Sequence, residues 1–224
     1  MDNSTGNFKL ASGTLQLEGQ WDFVYRPGAV LARKGTLTRA AMPIRPGKWY
    51  TWPLRALEAD RFHLRRAILD GCCWLGAAGL PAVTQLLPDP GLGDLHVITD
   101  ALLCCATSRR RGGQLLKVIP GSLRKAIGVT DLDAATQGLP VYCAGLQELR
   151  PVDLAEQETL GVNPRALAAW QGHARPRPFL AKLRMRDLLL PRIPGELTIT
   201  FTGPARIWIR IPLPQITKTV TAGE

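Results

Sequence analysis

Long apolar runs are missing from this sequence. The stretch from Ala67 to Val83 comes nearest, and Asp70, Pro81 and several small residues interrupt it. A transmembrane helix needs roughly 20 consecutive apolar residues, so no such span is predicted. The first residues, Met-Asp-Asn-Ser-Thr-Gly, also lack the basic-then-apolar order of a secretory signal peptide. We therefore expect a cytoplasmic protein that does not associate with membranes.

Catalytic and metal-binding motifs are missing as well. None of G-x-S-x-G, H-E-x-x-H and G-x-G-x-x-G occurs, and the three histidines, at 63, 96 and 173, share no ligand spacing. The sequence thus predicts no metal, no cofactor and no catalytic residue, and it favours a binding protein over an enzyme. An alternative stays open: His63 beside Arg65 and Arg66 could serve a metal-independent ribonuclease as general acid or base.

The cysteines do not form a disulfide framework. They comprise two adjacent pairs and a singleton, Cys72, Cys73, Cys104, Cys105 and Cys143. An odd count leaves one thiol unpaired, and neighbouring cysteines cannot reproduce the C-x₂-C turn of a zinc site. We expect buried thiols that pack as small hydrophobes, in apolar and helical surroundings, within a reducing compartment.

Arginine is what the sequence has in excess. It contains 21 Arg and 7 Lys, and its formal net charge is +10. Residues 1–56, 106–130 and 161–224 carry surpluses of five, six and seven positive charges, whereas residues 57–105 and 131–160 carry deficits of three and five. Basic segments of this kind attract polyanions, because each neutralised phosphate releases condensed counterions. A solubility role, an anionic membrane and an acidic protein partner are the alternatives.

Alternation of apolar and polar residues predicts strands at both ends of the chain. Leu15 to Tyr25 has this period, Arg26-Pro27-Gly28 is a turn signal, and Val30 to Arg39 can return as the partner strand. Near the other end, Leu197 to Phe201, a Gly203-Pro204 turn and Arg206 to Ile211 form a second predicted hairpin.

Helices are predicted between the two hairpins. Acidic residues near Leu57 mark the start of an apolar stripe, and further helices are expected at Ser122–Ile127 and Asn163–Trp170. At Val97–Thr107 a helix is favoured over a strand. The last of these has an N-cap residue, a proline at the first helical position and a glycine beyond its end. The sequence therefore predicts one α+β domain over residues 1–224. Its terminal hairpins would form an antiparallel sheet, with a helical insertion around 57–190.

Two basic segments are the first candidates for contact with nucleic acid. In one, glycines beside the arginines would let backbone approach a phosphate closely. In the other, prolines favour an extended arm. A merely solvated basic loop is the alternative for the first segment. The candidate residues are Arg109, Arg110, Arg111, Lys117, Arg124 and Lys125 in the first segment, and Arg175 and Arg177 in the second.

The last predicted strand supplies a third candidate. Its isoleucines would face the core, while Arg206, Trp208 and Arg210 would share the opposite face. There the indole could stack on a base while the arginines hold phosphates. The alternative is that Trp208 lies beneath another element and the arginines bind carboxylates or backbone. The aromatic cluster at 49–52, among basic residues, has the same two interpretations.

The basic glycine loop Arg109 to Gly113 and the strand Arg206 to Arg210 together resemble features of CRISPR ribonucleoprotein subunits. The similarity is to the RAMP superfamily, and a minimal type IV system is one form that it suggests. The resemblance implies ferredoxin-like domains that hold or cleave guide RNA.

The sequence thus predicts an RNA-binding subunit of a prokaryotic ribonucleoprotein with a role in antiviral defence. RNA is favoured over DNA, and other protein subunits of a complex are expected as partners. Two alternatives remain: a structural assembly protein of a phage or mobile element, and the metal-independent RNA-processing endoribonuclease described above.

Overall fold

The computed structural model describes residues 5–11, 13–41, 64–76, 82–117, 126–134, 140–145, 147–172, 176–179 and 198–212. No α-helix occurs in these ranges, whose helical turns are the two short 3₁₀ segments Pro90–Leu92 and Thr107–Arg109. The strands of the described part are β1 (Thr5–Ala11), β2 (Thr14–Tyr25), β3 (Val30–Ala40), β4 (Arg65–Leu75), β5 (Ala82–Leu86), β6 (Leu95–Ile98), β7 (Leu102–Ala106), β8 (Arg110–Lys117), β9 (Ala126–Leu132), β10 (Val141–Gly145), β11 (Gln147–Leu154), β12 (Thr159–Val162), β13 (Leu167–Gly172), β14 (Arg177–Phe179), β15 (Thr198–Thr202) and β16 (Ala205–Pro212).

The strands form three antiparallel sheets. The large sheet has the order β3-β4-β2-β7-β10-β5, and β1 also pairs with β2. The middle sheet has the order β11-β16-β13-β6-β9-β8, and the small sheet has the order β12-β15-β14. Most neighbours within a sheet are distant in sequence, so the fold depends on long-range strand pairing.

Two apolar clusters lie on opposite faces of the large sheet. The first, called here the shared core, unites all three sheets, with Val24, Cys105 and Cys143 from the large sheet, Val97, Ala169 and Trp208 from the middle one, and Ile199 and Phe201 from the small one. The second contains large-sheet residues such as Leu15, Leu17, Phe23, Leu69 and Tyr142. The central strands of the large sheet are therefore buried on both faces.

The α+β prediction is wrong, and β4 shows one reason. Ala67 and Leu69 point inward with the period of a strand, while Asp70 points outward. Ile68 points outward too and is 47% exposed. Because Ile68 is apolar although it faces solvent, apolar and polar residues do not alternate clearly along β4, and the pattern predicted the apolar stripe of a helix. The earlier part of that predicted helix, residues 57–63, lies outside the described residues.

The predicted helix at Val97–Thr107 is also wrong, because this segment spans the second half of β6 and all of β7. Every residue of β7 is buried. A strand covered on both faces has a continuous apolar run, which periodicity alone cannot distinguish from a buried helix. Of the helix predicted at Ser122–Ile127, residues 122–125 lie outside the described residues, and β9 begins at Ala126.

The helix predicted at Asn163–Trp170 is a single turn followed by a strand. The Asn163 side chain accepts a hydrogen bond from the Arg165 amide at 2.9 Å, and the Asn163 carbonyl accepts from Ala166 at 2.9 Å. The capping signal is therefore real, but asparagine caps turns as readily as helices. The chain continues as β13 from Leu167. With no helix in the described part, the ferredoxin-like sheet implied by the RAMP resemblance is wrong as well.

The strands predicted at both chain ends are confirmed, but their pairing as hairpins is wrong. β2 and β3 flank the expected turn, yet β4 inserts between them and pairs with both. Likewise β15 joins the small sheet, while β16 lies in the middle sheet between β11 and β13. The strands on either side of each turn therefore do not pair with one another, and the short-range sequence pattern cannot reveal this.

A row of four glycines crosses the large sheet. Gly6, Gly19, Gly71 and Gly35 are successive cross-strand partners on β1, β2, β4 and β3. The last three have φ values of 102°, 133° and 99°. Such a row permits the sheet to bend, because only glycine adopts these angles without strain. The Trp21 indole covers Gly6 and donates to the Glu18 carbonyl at 3.1 Å.

Candidate functional site

The basic glycine loop of the sequence is the beginning of β8, and carboxylates hold its exposed arginine. The Arg111 guanidinium donates to Asp133 at 2.7 Å and lies 3.3 Å from a carboxylate oxygen of Asp94. The pKa of Arg111 is raised, chiefly by the hydrogen bond to Asp133. The positive charge of Arg111, which the sequence predicts to contact phosphate, is thus neutralised by Asp94 and Asp133, one from each acidic stretch of the chain.

The two preceding arginines are less accessible. Arg109 ends a 3₁₀ turn with 8% of its surface exposed, and burial lowers the pKa of its guanidinium. Arg110 lies opposite Leu132 in the β8–β9 pair and is half-buried. Both arginines make interactions within the chain. The segment as a whole therefore does not present three arginines to solvent.

The last strand does not form the stacking platform expected from the sequence. Trp208 is 4% exposed and belongs to the shared core, so its ring has no open face for a base. Arg206 donates to both carboxylate oxygens of Asp153, its cross-strand partner, at 2.6 Å and 3.3 Å. The structure therefore agrees with the alternative interpretation of this strand, in which Trp208 is covered and Arg206 binds a carboxylate. Arg210 is half-buried and lies near Cys143.

The remaining candidates cannot be located fully. For Lys117 and Arg177 the structure describes only the positions in β8 and β14. The residues that lie outside the described part are Arg124, Lys125 and Arg175, together with His63 and the aromatic cluster at 49–52.

A partly buried carboxylate network ties β2 to β4 and to the turn before β8. Arg66 donates to the two oxygens of Asp22 at 2.9 Å and 2.6 Å, and the Thr107 hydroxyl donates to the same carboxylate at 2.7 Å. These bonds, that from Arg66 above all, hold the pKa of Asp22 below its ordinary value. Arg66 also donates through Nη1 to the Ala41 carbonyl at 3.2 Å. These bonds join residues of the chain to one another, which indicates a structural role for the network.

A group of exposed basic residues lies at one end of the large sheet. β3 is the terminal strand of that sheet and carries Arg33, Lys34 and Arg39, with no acidic residue along its length. All three are exposed, as is Arg65 at the start of β4. Within the described part, none of the four makes an ion pair. We call these four residues the basic edge.

Three residues of the basic edge share one face of the sheet. Arg33 pairs with Cys73 and Arg39 with Ala67, both inward-facing residues, and Arg65 lies diagonally from Arg39 on the same face. Across β2, β3 and β4 this face carries apolar residues, glycines and these arginines, and no carboxylate. The opposite face carries Lys34 together with several acids. Phosphate contact would therefore be most favourable on the arginine face.

The sequence contained a partial signal for the basic edge. Residues 1–56 have a surplus of five positive charges, and the segment from Val30 to Arg39 was predicted as a strand. Its place at the end of a sheet could not be predicted, because that depends on the insertion of β4 beside it.

One histidine forms a pair that the sequence did not indicate. His96 Nδ1 lies 2.7 Å from Asp131 Oδ1, on neighbouring strands, and the imidazole stacks on Trp170 with 5.1 Å between ring centroids. Such a pair fixes one imidazole tautomer, as in many acid–base sites. Residues 35 apart in sequence meet only through the β6–β9 pairing. Among the described residues, no three potential ligands lie close enough together to hold a metal ion.

The cysteines are free thiols, as predicted, but they lie on strands and not on helices. Cys73, Cys104, Cys105 and Cys143 are buried, and Cys72 is half-buried. Neighbouring cysteines on a strand point to opposite faces, so neither pair can bind one metal. Burial raises the pKa of Cys73 to about 11 and that of Cys143 to about 12, which leaves both thiols protonated and unreactive at neutral pH.

Comparisons with known proteins identify a similar fold but no activity. No protein-family model matches the chain, and no curated protein matches it. The X-ray crystal structure of protein SPYM3_0169 from Streptococcus pyogenes is similar, with a TM-score of 0.64, 13% sequence identity, and coverage of 92% of this chain and 93% of that one. At this identity the similarity shows the fold alone. The described residues contain no helix of the length and apolarity that crossing a membrane requires.

Proposed function

We propose that this protein binds the phosphate backbone of nucleic acid, RNA in the first place, through the basic edge. The observation that carries the proposal is the arginine face of β3 and β4, where Arg33, Arg39 and Arg65 are exposed and no carboxylate among the described residues pairs with them. The CRISPR assignment is not carried forward, because the ferredoxin-like fold on which it depended is wrong.

The contrast with the other arginines supports this choice of surface. Arg66, Arg111 and Arg206 each donate to a carboxylate of the same chain, so phosphate binding there would first require an internal ion pair to break. The basic edge has no such competitor in the described part. Guanidinium groups bind phosphate oxygens in a bidentate manner, which suits a strand that presents several of them in a row.

The shape of the edge favours a single strand over a duplex. Arg33 and Arg39 are six residues apart on one face, which corresponds to about 20 Å along a strand. An extended polynucleotide can follow such a line and place successive phosphates along it. These contacts would be independent of base sequence, because they reach only the backbone.

The test replaces the three residues of the arginine face, Arg33, Arg39 and Arg65, together by glutamine. Binding to a labelled single-stranded RNA would be measured by fluorescence anisotropy over a series of KCl concentrations. For the parent protein, log K should fall linearly with log salt. Each phosphate contact on a single strand contributes about 0.7 to that slope, so losing three contacts should reduce its magnitude by about 2.

The matched control is the triple variant Lys9→Gln, Arg111→Gln, Arg150→Gln, which removes the same net charge from exposed positions elsewhere. It should keep most of the salt slope. Equal losses in the two triple variants would show that only net charge matters and would reject the basic edge as the site. Absence of binding to both RNA and DNA at low salt would reject the nucleic-acid function itself.

A second candidate function rests on the outer side of β3. In the described part this strand pairs only with β4, so its other edge offers backbone donors and acceptors to an added strand. An acidic partner could extend the sheet there, as in an assembly protein. Retention of a partner protein without any nucleic acid would favour this function over the first.

A further inference from the structure

β1 is a free strand of the large sheet. Within the described part it pairs only with β2, and its residues Asn7–Ala11 are all exposed. Its only charged residue is Lys9, whereas β3 carries two arginines and a lysine without any acid. A free strand offers unpaired backbone donors and acceptors to an added strand. β1 is therefore a place where another chain can extend the sheet.

The backbone groups that β1 leaves unpaired follow from its connection to β2. Ala11 and Thr14 are the last cross-strand pair before the chain turns, so they exchange both hydrogen bonds of a closely spaced pair. This alternation directs the amides and carbonyls of the odd-numbered residues towards β2. The corresponding groups of Gly6, Phe8 and Leu10 point away from β2. Every second residue of β1 thus has a donor and an acceptor available to a further strand.

Two of these residues also have apolar side chains that are only partly covered. Phe8 and Leu10 lie opposite buried leucines of β2, yet they are 42% and 40% exposed. The Phe8 ring makes edge-on contacts with Trp21 and Tyr142, at 6.3 Å and 6.4 Å between ring centroids. The apolar interior of the large sheet therefore reaches solvent at β1.

A second copy of the chain fits this strand in one register. When two β1 strands run antiparallel about a two-fold axis at Phe8, the two Phe8 residues are opposite one another. Each Gly6 is then opposite Leu10 of the second copy, so every outward backbone group faces a partner. Gly6 has no side chain and is covered by the Trp21 indole, against which the leucine of the second copy can pack.

Charges beside β1 are complementary in the same register. Asn7 pairs with Glu18 of β2 and would lie opposite Lys9 of the second copy. Glu18, Asn7 and that lysine would form a row, at two symmetric places, in which the small amide lets the ammonium approach the carboxylate. Opposite charges across strands stabilise pairing, whereas two β3 strands would bring only positive charges together. Charge therefore favours β1 over β3 as the contact between two copies.

We propose that two copies of this chain associate through antiparallel pairing of their β1 strands, which joins the two large sheets into one. A single strand pair is smaller than a standard protein interface, so we expect a reversible dimer with a dissociation constant on the order of 10 µM. The contact leaves β3 uncovered, and the proposal does not depend on the binding of nucleic acid.

Sedimentation velocity of the full chain, freed of nucleic acid, tests the proposal over a series of protein concentrations. The parent should change from monomer to dimer as concentration rises. Lys9→Glu should raise the dissociation constant by about tenfold, because two attractive pairs become repulsive. The double variant Lys9→Glu, Glu18→Lys exchanges the two charges and should return the constant to within about threefold of the parent value.

Two further variants separate the strand from net charge. Lys34→Glu makes the same change of charge on β3 and should not weaken the dimer. Leu10→Pro removes an outward donor of β1 without removing a bond to β2, so it should abolish the dimer while the circular dichroism spectrum stays that of the folded protein. If Leu10→Pro fails to fold, Lys9→Glu and the double variant still test the pairing.

Three results would overturn the proposal. The first is a parent that stays monomeric up to about 1 mM, which would leave β1 to a different partner. The second is equal weakening of the dimer in Lys9→Glu and Lys34→Glu, or no recovery in the double variant. The third is a dimer that persists unchanged in Lys9→Glu and in folded Leu10→Pro, which would place the contact elsewhere on the molecule.

Discussion

Arginine residues in this protein differ mainly in whether a carboxylate reaches them. Asp22, Asp133 and Asp153 each accept hydrogen bonds from one arginine, and two of these pairs join neighbouring strands. Partly exposed ion pairs of this kind stabilise a protein modestly and remove the arginine from the pool available to ligands. The arginines available to a ligand are therefore those that form no ion pair with a carboxylate of the same chain.

At this scale we expect Asp22→Asn to lower the free energy of unfolding by about 1 kcal/mol at neutral pH. The pKa of Asp22 is held below its ordinary value of 3.8, first by the hydrogen bond from Arg66. A lowered pKa stabilises the fold above the unfolded-state value, and this contribution is lost as pH falls through the folded-state value. The difference between parent and variant should therefore vanish in acid.

Urea unfolding followed by tryptophan fluorescence, at neutral pH and well below pH 3.8, measures this difference. Asp70→Asn is the matched control, since Asp70 is exposed on the same face and makes no ion pair in the described part. It should change stability by less than about 0.5 kcal/mol at either pH. A deficit in Asp22→Asn that persists unchanged in acid would contradict the assignment to the charged carboxylate.

Among the structural elements, the large sheet depends on its row of glycines. β2, β3 and β4 each place a glycine with positive φ at the same register, which permits the three strands to bend together. The backbones also approach closely there, and a methyl group on Gly71 would overlap the Lys34 carbonyl oxygen.

We expect Gly71→Ala to destabilise the protein by about 3 kcal/mol or more. A positive φ costs a non-glycine residue about 1–2 kcal/mol, and the overlap with backbone adds to it. Chemical denaturation measures the loss. Gly28→Ala is the control that separates the two effects, because Gly28 has a φ of 81° but no atom within 4 Å of an added methyl. Equal losses in the two variants would mean that close packing at the row contributes nothing.

The whole molecule is held together by packing between sheets. Trp170 of the middle sheet contacts Phe201 of the small sheet with 5.8 Å between ring centroids, and His96 stacks on the same indole. On the other side of the middle sheet, the shared core extends to the large sheet. These aromatic contacts connect strands from both halves of the sequence.

We expect Phe201→Ala to lower the free energy of unfolding by about 3–5 kcal/mol, because a fully buried aromatic leaves a cavity between two sheets. Phe8→Ala is the matched control. Phe8 also contacts an aromatic ring, that of Trp21, but is 42% exposed, so its loss should cost less than about 1.5 kcal/mol. Thermal unfolding of both variants measures the difference. Similar costs would show that the small sheet does not share the core.

Some strands could be predicted and others could not, for identifiable reasons. β15 and the first part of β2 are buried mainly on one face, so their apolar and polar side chains alternate and the strands can be predicted. β7 is buried on both faces and β4 has Ile68 on its solvent side, so neither has a clear period. The turn at Asn163 carries the same capping chemistry as a helix start. Burial of a strand on both faces depends on tertiary structure, so the alternation of apolar and polar residues could not predict β7.

The sequence predicted that arginines would form the candidate site, but it did not predict which arginines. The sequence by itself determined the excess of arginine, the absence of catalytic motifs and the strands near both ends, because these depend on composition and local period. Only the tertiary structure decided which arginines are neutralised, since Asp133 and Asp153 reach their partners across strands distant in sequence. It also moved the accessible charge to β3, because long-range pairing with β4 left that strand at the end of its sheet.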